Sequence, residues 1–277
     1  MESCLLNYFV LNDELKSVCD FNPYIFEPFS PVYEVIRIEK SVPIFLEDHI
    51  KRFYDSCDIA GIAVPIKPQQ IKKRIKALID SNRMKTGLIK FLFFVHPQIG
   101  NLFSAWVAPF FFPSETQYQQ GVRVKTFRGE RENPHAKFAN LSVRQQADNF
   151  IKNNKIYEVI LINSKNLITE GSRSNLFFVK NNCNILFTPH EKLVLKGITR
   201  QKIIQLAVDN GLDVFESEFI KEELFEFNGV FLTGTSPKVL PVNSIDEQQF
   251  DVKNHIISFL QEKYSELIEK YIRSFSW

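Results

Sequence analysis

Hydrophobic and polar positions change their period along the chain, and each period predicts one kind of element. Residues 32–39 (VYEVIRIE) alternate as a half-buried strand does. Residues 44–62 repeat their apolar positions at helical spacing as far as Gly61, and residues 69–81 have the same character. The unbroken apolar run 88–95 is typical of a buried strand, so the first part of the chain mixes both element types.

A polar segment, residues 113–121 (PSETQYQQG), separates this pattern from a second one. A stretch of Pro, Ser, Glu and Gln is typical of a linker, which predicts a smaller domain over residues 1–112 and a larger one over residues 122–277. For the second domain the same reasoning predicts strands over 122–127, 157–163 and 230–233, a hairpin of 175–179 with 184–188 around Asn181-Asn182, and helices over 140–152, 199–210 and 256–272.

The composition of the chain argues against several kinds of function. With 277 residues, 44% of them hydrophobic, the chain can bury large cores. Lys and Arg together number 34 and Asp and Glu together 32, so no bulk charge favours nucleic acid as a partner. No apolar stretch is long enough to cross a bilayer, and the first residues lack the segments of a secretion signal. We therefore expect a cytoplasmic protein without a membrane or nucleic-acid partner.

The cysteines and histidines do not form a recognisable metal site. Cys4, Cys19, Cys57 and Cys183 are far apart and include no C-x-x-C pair. No histidine has a partner at metal-ligand spacing, so we expect no metal. The cysteines are better explained as reduced thiols, which agrees with a cytoplasmic location.

Two segments have the residues of an anion-binding site. Gly197-Ile198-Thr199-Arg200 lies where a loop enters a predicted helix, and Thr199 is a natural N-cap. Free N–H groups at the positive end of a helix bind phosphate, and a threonine hydroxyl can add a donor. Thr233-Gly234-Thr235-Ser236 follows a predicted strand, where glycine lets the backbone approach a ligand. For either segment alone, an ordinary cap or turn is the more common explanation.

Two other groups of polar residues have the chemistry of a site without specifying one. Residues 169–175 (TEGSRSN) join two strands with a high density of hydrogen-bonding side chains around Glu170. His49 and Arg52 are three residues apart on one helix and so share a face, and the guanidinium of Arg52 suits phosphate. Taken singly, each is better explained as a solvated side chain.

The order in which these segments occur resembles a known family. Four segments of this chain resemble the successive motifs of the class IV pyridoxal-phosphate enzymes: VYEVIRIEKSVPIFLEDHIKRFYDS, YEVILINSKNLITEGSRSNLFFV, ILFTPHEKLVLKGITR and VFLTGTSPKVLPVNSID. The family includes branched-chain aminotransferases, D-amino-acid aminotransferases and aminodeoxychorismate lyase. The resemblance runs from about Tyr33 to Asp246. It implies the two-domain α/β (α+β) fold of type IV, with pyridoxal 5'-phosphate in the cleft between the domains, and a homodimer.

The roles of individual residues follow from this resemblance. Lys137, in AKFANL, matches the lysine that carries the cofactor, and Asn140 follows three residues later as the pattern expects. Glu170 matches the carboxylate that bonds the pyridine nitrogen, where an adjacent anion keeps that nitrogen protonated. The other matches are Arg52, Ile198, Thr199 and Thr235 for the phosphate, Leu195 for packing on the ring, and Tyr33 for the substrate side.

Three departures from the family pattern concern the substrate. The loop before Tyr33 reads FEPFSP where the family often has Gly-Asp-Gly. Lys90 stands where the branched-chain enzymes have an arginine, and a lysine lacks the bidentate geometry with a carboxylate. Arg173 replaces a small residue of the family's Glu-Gly-Ser-Ser-Ser-Asn run, and the sequence leaves open whether it points into the site.

The resemblance predicts an aminotransferase that exchanges an amino group between an amino acid, branched-chain, hydrophobic or glutamate, and a 2-oxo acid. The freed amine of Lys137 would act as the general base. Two alternatives stay open. One is a lyase that releases pyruvate with the same Lys137 and Glu170, and the other is a cofactor-binding protein without catalysis. The sequence does not decide between L and D substrates.

Overall fold

The computed structural model describes residues 2–26, 29–131, 134–137, 141–180 and 184–277. These residues form two compact units. The first unit comprises Met1–Phe111 with two later segments, Ala136–Ala139 and Ile268–Trp277, and the second comprises Phe112–His135 with Asn140–Leu267. Lys137 therefore belongs to the first unit, although it follows the start of the second in sequence.

The first unit is built on a six-stranded sheet in the order β2-β1-β6-β5-β3-β4. Its strands are β1 (Leu5–Leu11), β2 (Glu14–Ser17), β3 (Val32–Glu39), β4 (Val42–Pro43), β5 (Thr86–His96) and β6 (Gly100–Ala108). The predicted strands over 32–39 and 88–95 are confirmed as β3 and β5, which pair antiparallel from Val32 opposite Phe93 to Glu39 opposite Thr86. The hairpin of β1 and β2 was not predicted, because its apolar run is short and interrupted by asparagine.

Both faces of this sheet are covered, which explains the unbroken apolar run of β5. On one face, side chains such as Ile36, Phe91 and Phe103 pack against α1 (Leu46–Ile59) and α2 (Pro68–Ser81). The two helices confirm the predictions for 44–62 and 69–81, and Gly61 ends the first of them with a φ of +67°. A second cluster, which includes Phe26, Tyr33 and Trp106, covers the other face.

The second unit is built on a ten-stranded mixed sheet in the order β12-β11-β10-β14-β15-β7-β8-β9-β13, with β16 paired to β15. Its strands are β7 (Val122–Arg128), β8 (Glu158–Ile162), β9 (Leu167–Gly171), β10 (Asn175–Lys180), β11 (Ile185–Pro189), β12 (Asp213–Ser217), β13 (Phe219–Ile220), β14 (Gly229–Gly234), β15 (Lys238–Ile245) and β16 (Gln248–Gln249). The predicted pairing of 175–179 with 184–188 is confirmed as β10 with β11, whereas Asn181-Asn182 lies outside the described residues.

The helices of the second part of the chain are α3 (Glu115–Gln120), α4 (Leu141–Asn154), α5 (Ile198–Asp209) and α6 (His255–Ser274). The last three confirm the predicted helices, and Asn140 lies outside the described residues. The short helix α3 occupies most of the segment expected to be a linker, where Ser114 caps it through a hydrogen bond from the N–H of Gln117. The division at residues 113–121 stays a prediction.

No helix of the described ranges is long and apolar enough to cross a membrane. The same ranges contain no group of three or more His, Cys, Asp or Glu residues that could hold a metal ion.

Candidate active site

The backbone of Lys137 is fixed on both sides within the first unit. Its carbonyl oxygen accepts a hydrogen bond of 3.1 Å from the N–H of Tyr33 on β3. Its own N–H donates to the hydroxyl of Ser56 on α1 at 3.3 Å. The side chain is largely buried, with its ammonium 5.3 Å from the centroid of the Tyr33 ring. A strand and a helix of the first unit therefore determine where this lysine lies.

The ammonium of Lys137 lies near a buried ionic cluster centred on Glu34, which we call the Glu34 cluster. Arg52 donates two hydrogen bonds of 2.7 Å to this carboxylate, from Nε to Oε1 and from Nη2 to Oε2. Nδ1 of His49 lies 2.8 Å from Oε2, and Nζ of Lys137 lies 3.7 Å from the same oxygen. Glu34 thus orients the guanidinium proposed for phosphate and places a negative charge beside the lysine.

The pKa values of Glu34 and His49 are both lowered, for different reasons. Burial alone would raise the pKa of Glu34, but Arg52 and Lys137, with a hydrogen bond from His49, hold that pKa well below its usual range. Burial lowers the pKa of His49, and the charge of Glu34 only partly offsets this. The pair at neutral pH is therefore a carboxylate and a neutral imidazole, which donates its Nδ1 proton to Glu34.

Tyr33 and Lys90 lie together on the sheet of the first unit. Nζ of Lys90 is 4.5 Å from the centroid of the Tyr33 ring, so two ammonium groups, those of Lys90 and Lys137, lie near one aromatic ring. The side chain of Lys90 is buried and forms an ion pair with Glu2. The structure therefore brings together the four candidate residues of the first unit, which are Tyr33, Arg52, Lys90 and Lys137.

The second unit holds Glu170 at the end of β9 in an equally defined arrangement, which we call the Glu170 cluster. Oε2 accepts hydrogen bonds of 3.1 Å from Nδ2 of Asn175 and from the backbone N–H of Leu195. Asn175 also donates to the carbonyl oxygen of Leu195 at 2.9 Å. Arg131 places its Nε 3.0 Å from the other carboxylate oxygen and donates to the carbonyl of Ser172.

The two oxygens of Glu170 differ in how well they are satisfied. Oε1 is buried and, among the described residues, receives no hydrogen bond of acceptable geometry, although the charge of Arg131 lies 3.0 Å away. This contact is an ion pair without a directed hydrogen bond, because a short distance alone does not give a hydrogen bond its geometry. Burial raises the pKa of Glu170, and Arg131 opposes the rise. A cationic N–H donor at Oε1 would satisfy the oxygen and lower that pKa, and a protonated pyridine nitrogen is such a donor.

The turn after Glu170 is built around a second buried acid, Glu158. Its carboxylate accepts hydrogen bonds from the hydroxyl of Ser172 at 2.6 Å and from the backbone N–H of Arg173 at 3.1 Å. The side chain of Arg173, by contrast, is exposed and pairs with Asp148 on α4. Its predicted role on the substrate side rests on the resemblance alone and stays a prediction.

The start of α5 packs against the Glu170 cluster through Gly197. A Cβ added at Gly197 would lie 2.0 Å from Oδ1 of Asn175, so glycine is required here for close approach. The expectation that Thr199 caps this helix is wrong: the N-cap is Gly197, and the helix begins at Ile198. Thr199 is instead the second helical residue, buried, with its hydroxyl 3.2 Å from that of Tyr264.

The segment with Thr235 begins beside the same cluster. Strands β10 and β14 pair with Asn175 opposite Thr233, and Thr235 lies in the turn that follows Gly234. The hydroxyl of Thr233 is buried and has no hydrogen-bond partner among the described residues. The second unit thus brings Glu170, Leu195 and the start of α5 into direct contact, with the turn of Thr235 nearby.

Sequence reasoning missed three residues that define these clusters. Glu34 carried a usable signal, because it is acidic at a position that shares a strand face with the buried Ile36 and Ile38. Asn175 lay in the polar run that was singled out, but nothing there distinguished it from its neighbours. Arg131 gave no signal, because its partner Glu170 lies on a strand 39 residues away and basic residues are common in this chain.

Comparisons with known proteins identify the family. The model for amino-transferase class IV matches residues 31–245. D-alanine aminotransferase of Bacillus licheniformis is 34% identical over 232 residues, which are 78% of this chain and 79% of that protein. A probable branched-chain-amino-acid aminotransferase of Rickettsia conorii is 27% identical over 253 residues, 86% of this chain and 87% of that protein. The solved structure of a branched-chain amino acid aminotransferase from Escherichia coli has a TM-score of 0.83 at 23% identity and 95% coverage of both chains.

The chain belongs to the class IV aminotransferases, since the family model spans most of it. It is a transferase that depends on pyridoxal phosphate, and its mixed α/β fold with two sheets is close to that of the branched-chain enzymes. The predictions of family, fold class, enzyme class and cofactor are therefore confirmed. The prediction of transamination is confirmed as well, because relatives of this chain are D-alanine and branched-chain aminotransferases, whereas a putative 4-amino-4-deoxychorismate lyase of Legionella pneumophila is similar in fold, with a TM-score of 0.74 at 24% identity. The role of each site residue stays a prediction.

Proposed function

We propose that this enzyme acts on amino acids with apolar or branched side chains, or on glutamate, and transfers the amino group to a 2-oxo acid. The observation that carries the proposal is Glu170, a buried carboxylate fixed by Asn175 and Leu195 whose Oε1 receives no hydrogen bond from the described part of the chain. A protonated pyridine nitrogen is a donor that would satisfy such an oxygen. Relatives that act on D-alanine and on branched-chain amino acids support substrates with small or apolar side chains.

In this proposal each candidate residue has the cofactor role that its match to the family implies. Bound pyridoxal 5'-phosphate supplies an electron sink for the bond that breaks at the α-carbon. Glu170 would hold the ring nitrogen, and Leu195 would pack on the ring. The phosphate would be bound by Arg52, by the backbone of Ile198 and Thr199 at the start of α5, and by Thr235.

Lys137 would carry the cofactor and move the proton. As a free amine, Nζ of Lys137 would take the proton from the α-carbon of the substrate. Its backbone contacts with Tyr33 and Ser56 fix the origin of this side chain, while Glu34 and the Tyr33 ring limit where Nζ can go. A fixed base reacts faster than a free one, because less orientational freedom is lost in the transition state.

The substrate side of the site would be formed by Tyr33, Lys90 and Arg173. The positions of Tyr33 and Lys90 support this role, because the ammonium groups of Lys90 and Lys137 lie 4.5 Å and 5.3 Å from the centroid of the Tyr33 ring. A homodimer and a cytoplasmic location complete the proposal. Exposed apolar side chains on β1, including Leu5, Leu6 and Tyr8, provide a surface that a second copy could cover.

The proposal can be tested by titrating the purified enzyme with single amino acids, L and D, while following the absorbance of the bound cofactor. Apolar amino acids should convert the lysine-bound form to the amino form in one turnover, and a 2-oxo acid should reverse the change. The variant Lys137→Ala should lose both the lysine-bound band and the conversion. Pyruvate release without a 2-oxo acid acceptor would instead establish the lyase, and a cofactor band that no amino acid changes would establish a protein that only binds the cofactor.

A further inference from the structure

A buried pair of hydroxyl groups joins the start of α5 to α6 within the second unit. Thr199 is the second residue of α5, and its Oγ1 lies 3.2 Å from the hydroxyl oxygen of Tyr264 on α6. Both residues are 4% exposed, so the pair is shielded from water. The two residues are 65 positions apart in sequence, and Tyr264 has none of the cofactor roles assigned above.

Tyr264 lies on the apolar face of α6. Leu260 and Ile257, one and two turns earlier on the same face, are fully buried. Gln261 attaches the helix to the sheet of the second unit, because its Nε2 donates to a backbone carbonyl of β15 at 3.1 Å. A tyrosine on such a face buries its ring, but its hydroxyl needs a hydrogen-bond partner there. The Thr199 hydroxyl provides one, so packing and this contact together fix the position of the phenol.

The start of α5 presents hydrogen-bond donors to an anion. The first backbone hydrogen bond of the helix runs from the N–H of Gln201 to the carbonyl oxygen of Gly197. The N–H groups of Ile198, Thr199 and Arg200 therefore have no carbonyl partner within α5, and they lie at the positive end of its dipole. A hydroxyl at this position can donate one further hydrogen bond to a phosphate oxygen, provided that its single proton is not used elsewhere.

We propose that Tyr264 is a positioning residue of the phosphate site: its hydroxyl donates to Oγ1 of Thr199, so that the proton of Thr199 is directed at the phosphate of the cofactor. This inference rests on the proposed function, in that it takes Thr199 as a phosphate ligand. A phosphate dianion only accepts hydrogen bonds and takes the Thr199 proton, so the proton between the two hydroxyls must come from Tyr264. A hydroxyl that already accepts a hydrogen bond is a better donor, because hydrogen bonds in a chain polarise one another.

The test titrates the cofactor-free full-length protein with pyridoxal 5'-phosphate and with pyridoxal, which lacks the phosphate, and follows the absorbance of the bound ligand. In Tyr264→Phe we expect the affinity for pyridoxal 5'-phosphate to fall about fivefold, the factor that one neutral hydrogen bond contributes, while the affinity for pyridoxal changes less than about twofold. Unchanged binding of pyridoxal also shows that the variant is folded. The matched control is Ser265→Ala, which removes an exposed hydroxyl from the next residue of α6 and should change neither affinity.

Two variants of Thr199 show whether the effect passes through its hydroxyl. Thr199→Ser keeps the hydroxyl, so adding Tyr264→Phe should again weaken the binding of pyridoxal 5'-phosphate about fivefold. In Thr199→Val the hydroxyl is absent, and adding Tyr264→Phe should have no further effect.

Equal losses for pyridoxal 5'-phosphate and pyridoxal in Tyr264→Phe would overturn the inference, since Tyr264 would then only pack against α5. An unchanged affinity for pyridoxal 5'-phosphate would overturn it too, and so would the same loss in the Thr199→Val background. Because binding needs no turnover, these results are independent of the amino-acid titration that tests the proposed function.

Discussion

The contact of Gly197 with Asn175 gives the sharpest prediction, which concerns the variant Gly197→Ala. The backbone at residue 197 has φ −62° and ψ 136°, a conformation that alanine adopts without strain. The added Cβ would nevertheless lie 2.0 Å from Oδ1 of Asn175, so the amide must move. Its hydrogen bonds to Glu170 and Leu195 are then lost, and both are buried.

The size of the effect follows from those two hydrogen bonds. A neutral bond contributes about 1 kcal/mol and a bond to a charged group about 2 kcal/mol, so the free energy of unfolding should fall by roughly 3 kcal/mol. We expect this in urea denaturation of the cofactor-free protein. The cofactor affinity should fall as well, because the carboxylate of Glu170 loses one of its two donors to Oε2.

A double-mutant cycle decides whether Asn175 is the cause. In an Asn175→Ala background the amide is already absent, so Gly197→Ala should cost less than about 0.5 kcal/mol more. Additive losses in the double variant would refute the reasoning, since they would mean that the alanine collides with something else. A single Gly197→Ala variant as stable as wild type would refute it too.

Three other variants test the charges of the site. Glu34→Gln leaves two buried cations without their shared counter-ion and should cost about 3–5 kcal/mol in urea denaturation at neutral pH. Because the folded pKa of Glu34 lies below its unfolded value, its contribution to stability is complete above about pH 4.3 and is lost as the pH falls towards the folded pKa. The free energy of unfolding should therefore fall less steeply with acid in the variant than in wild type. An identical slope would contradict this. Arg131→Met removes the cation that lies 3.0 Å from Glu170, which raises the pKa of Glu170 further. The acidic limb of the kcat profile should therefore move to higher pH, and kcat should be about tenfold lower. Arg131→Lys should recover part of the loss. Thr199→Val should weaken cofactor binding about tenfold in absorbance titrations, whereas unchanged affinity would remove Thr199 from the phosphate site.

The parts of the fold that the sequence predicted are those in which local pattern and burial agree. Strand β3 and helices α1 and α2 each present one apolar face to a common core, so their periodicity was visible in the chain itself. The hairpin of β1 and β2 was missed because its side chains are mostly exposed, and exposed strands need not alternate. The position of the N-cap at Gly197 was missed because a threonine two residues later satisfies the same local rule.

The residues of the candidate site also include some that the sequence predicted and some that it did not. Lys137 and Glu170 could be found only from the order of the motifs, because a single lysine or glutamate among many has no local signature. Spacing marks Glu34 as a buried acid, but it does not show which residues Glu34 or Glu170 would contact. The bonds of Glu34 to Arg52 and of Glu170 to Leu195 join residues on different elements, and only the sheet register and the approach of the helix bring them together.

The two backbone bonds that fix Lys137 have a consequence for how the enzyme is assembled. The lysine follows residue 112 in the chain, yet the groups that hold its backbone, Tyr33 and Ser56, were synthesised far earlier. A separately produced fragment that begins at residue 112 would contain the reactive amine and Glu170 but none of these anchors. Reactivity in such a split protein should return only when the piece with residues 2–111 is supplied.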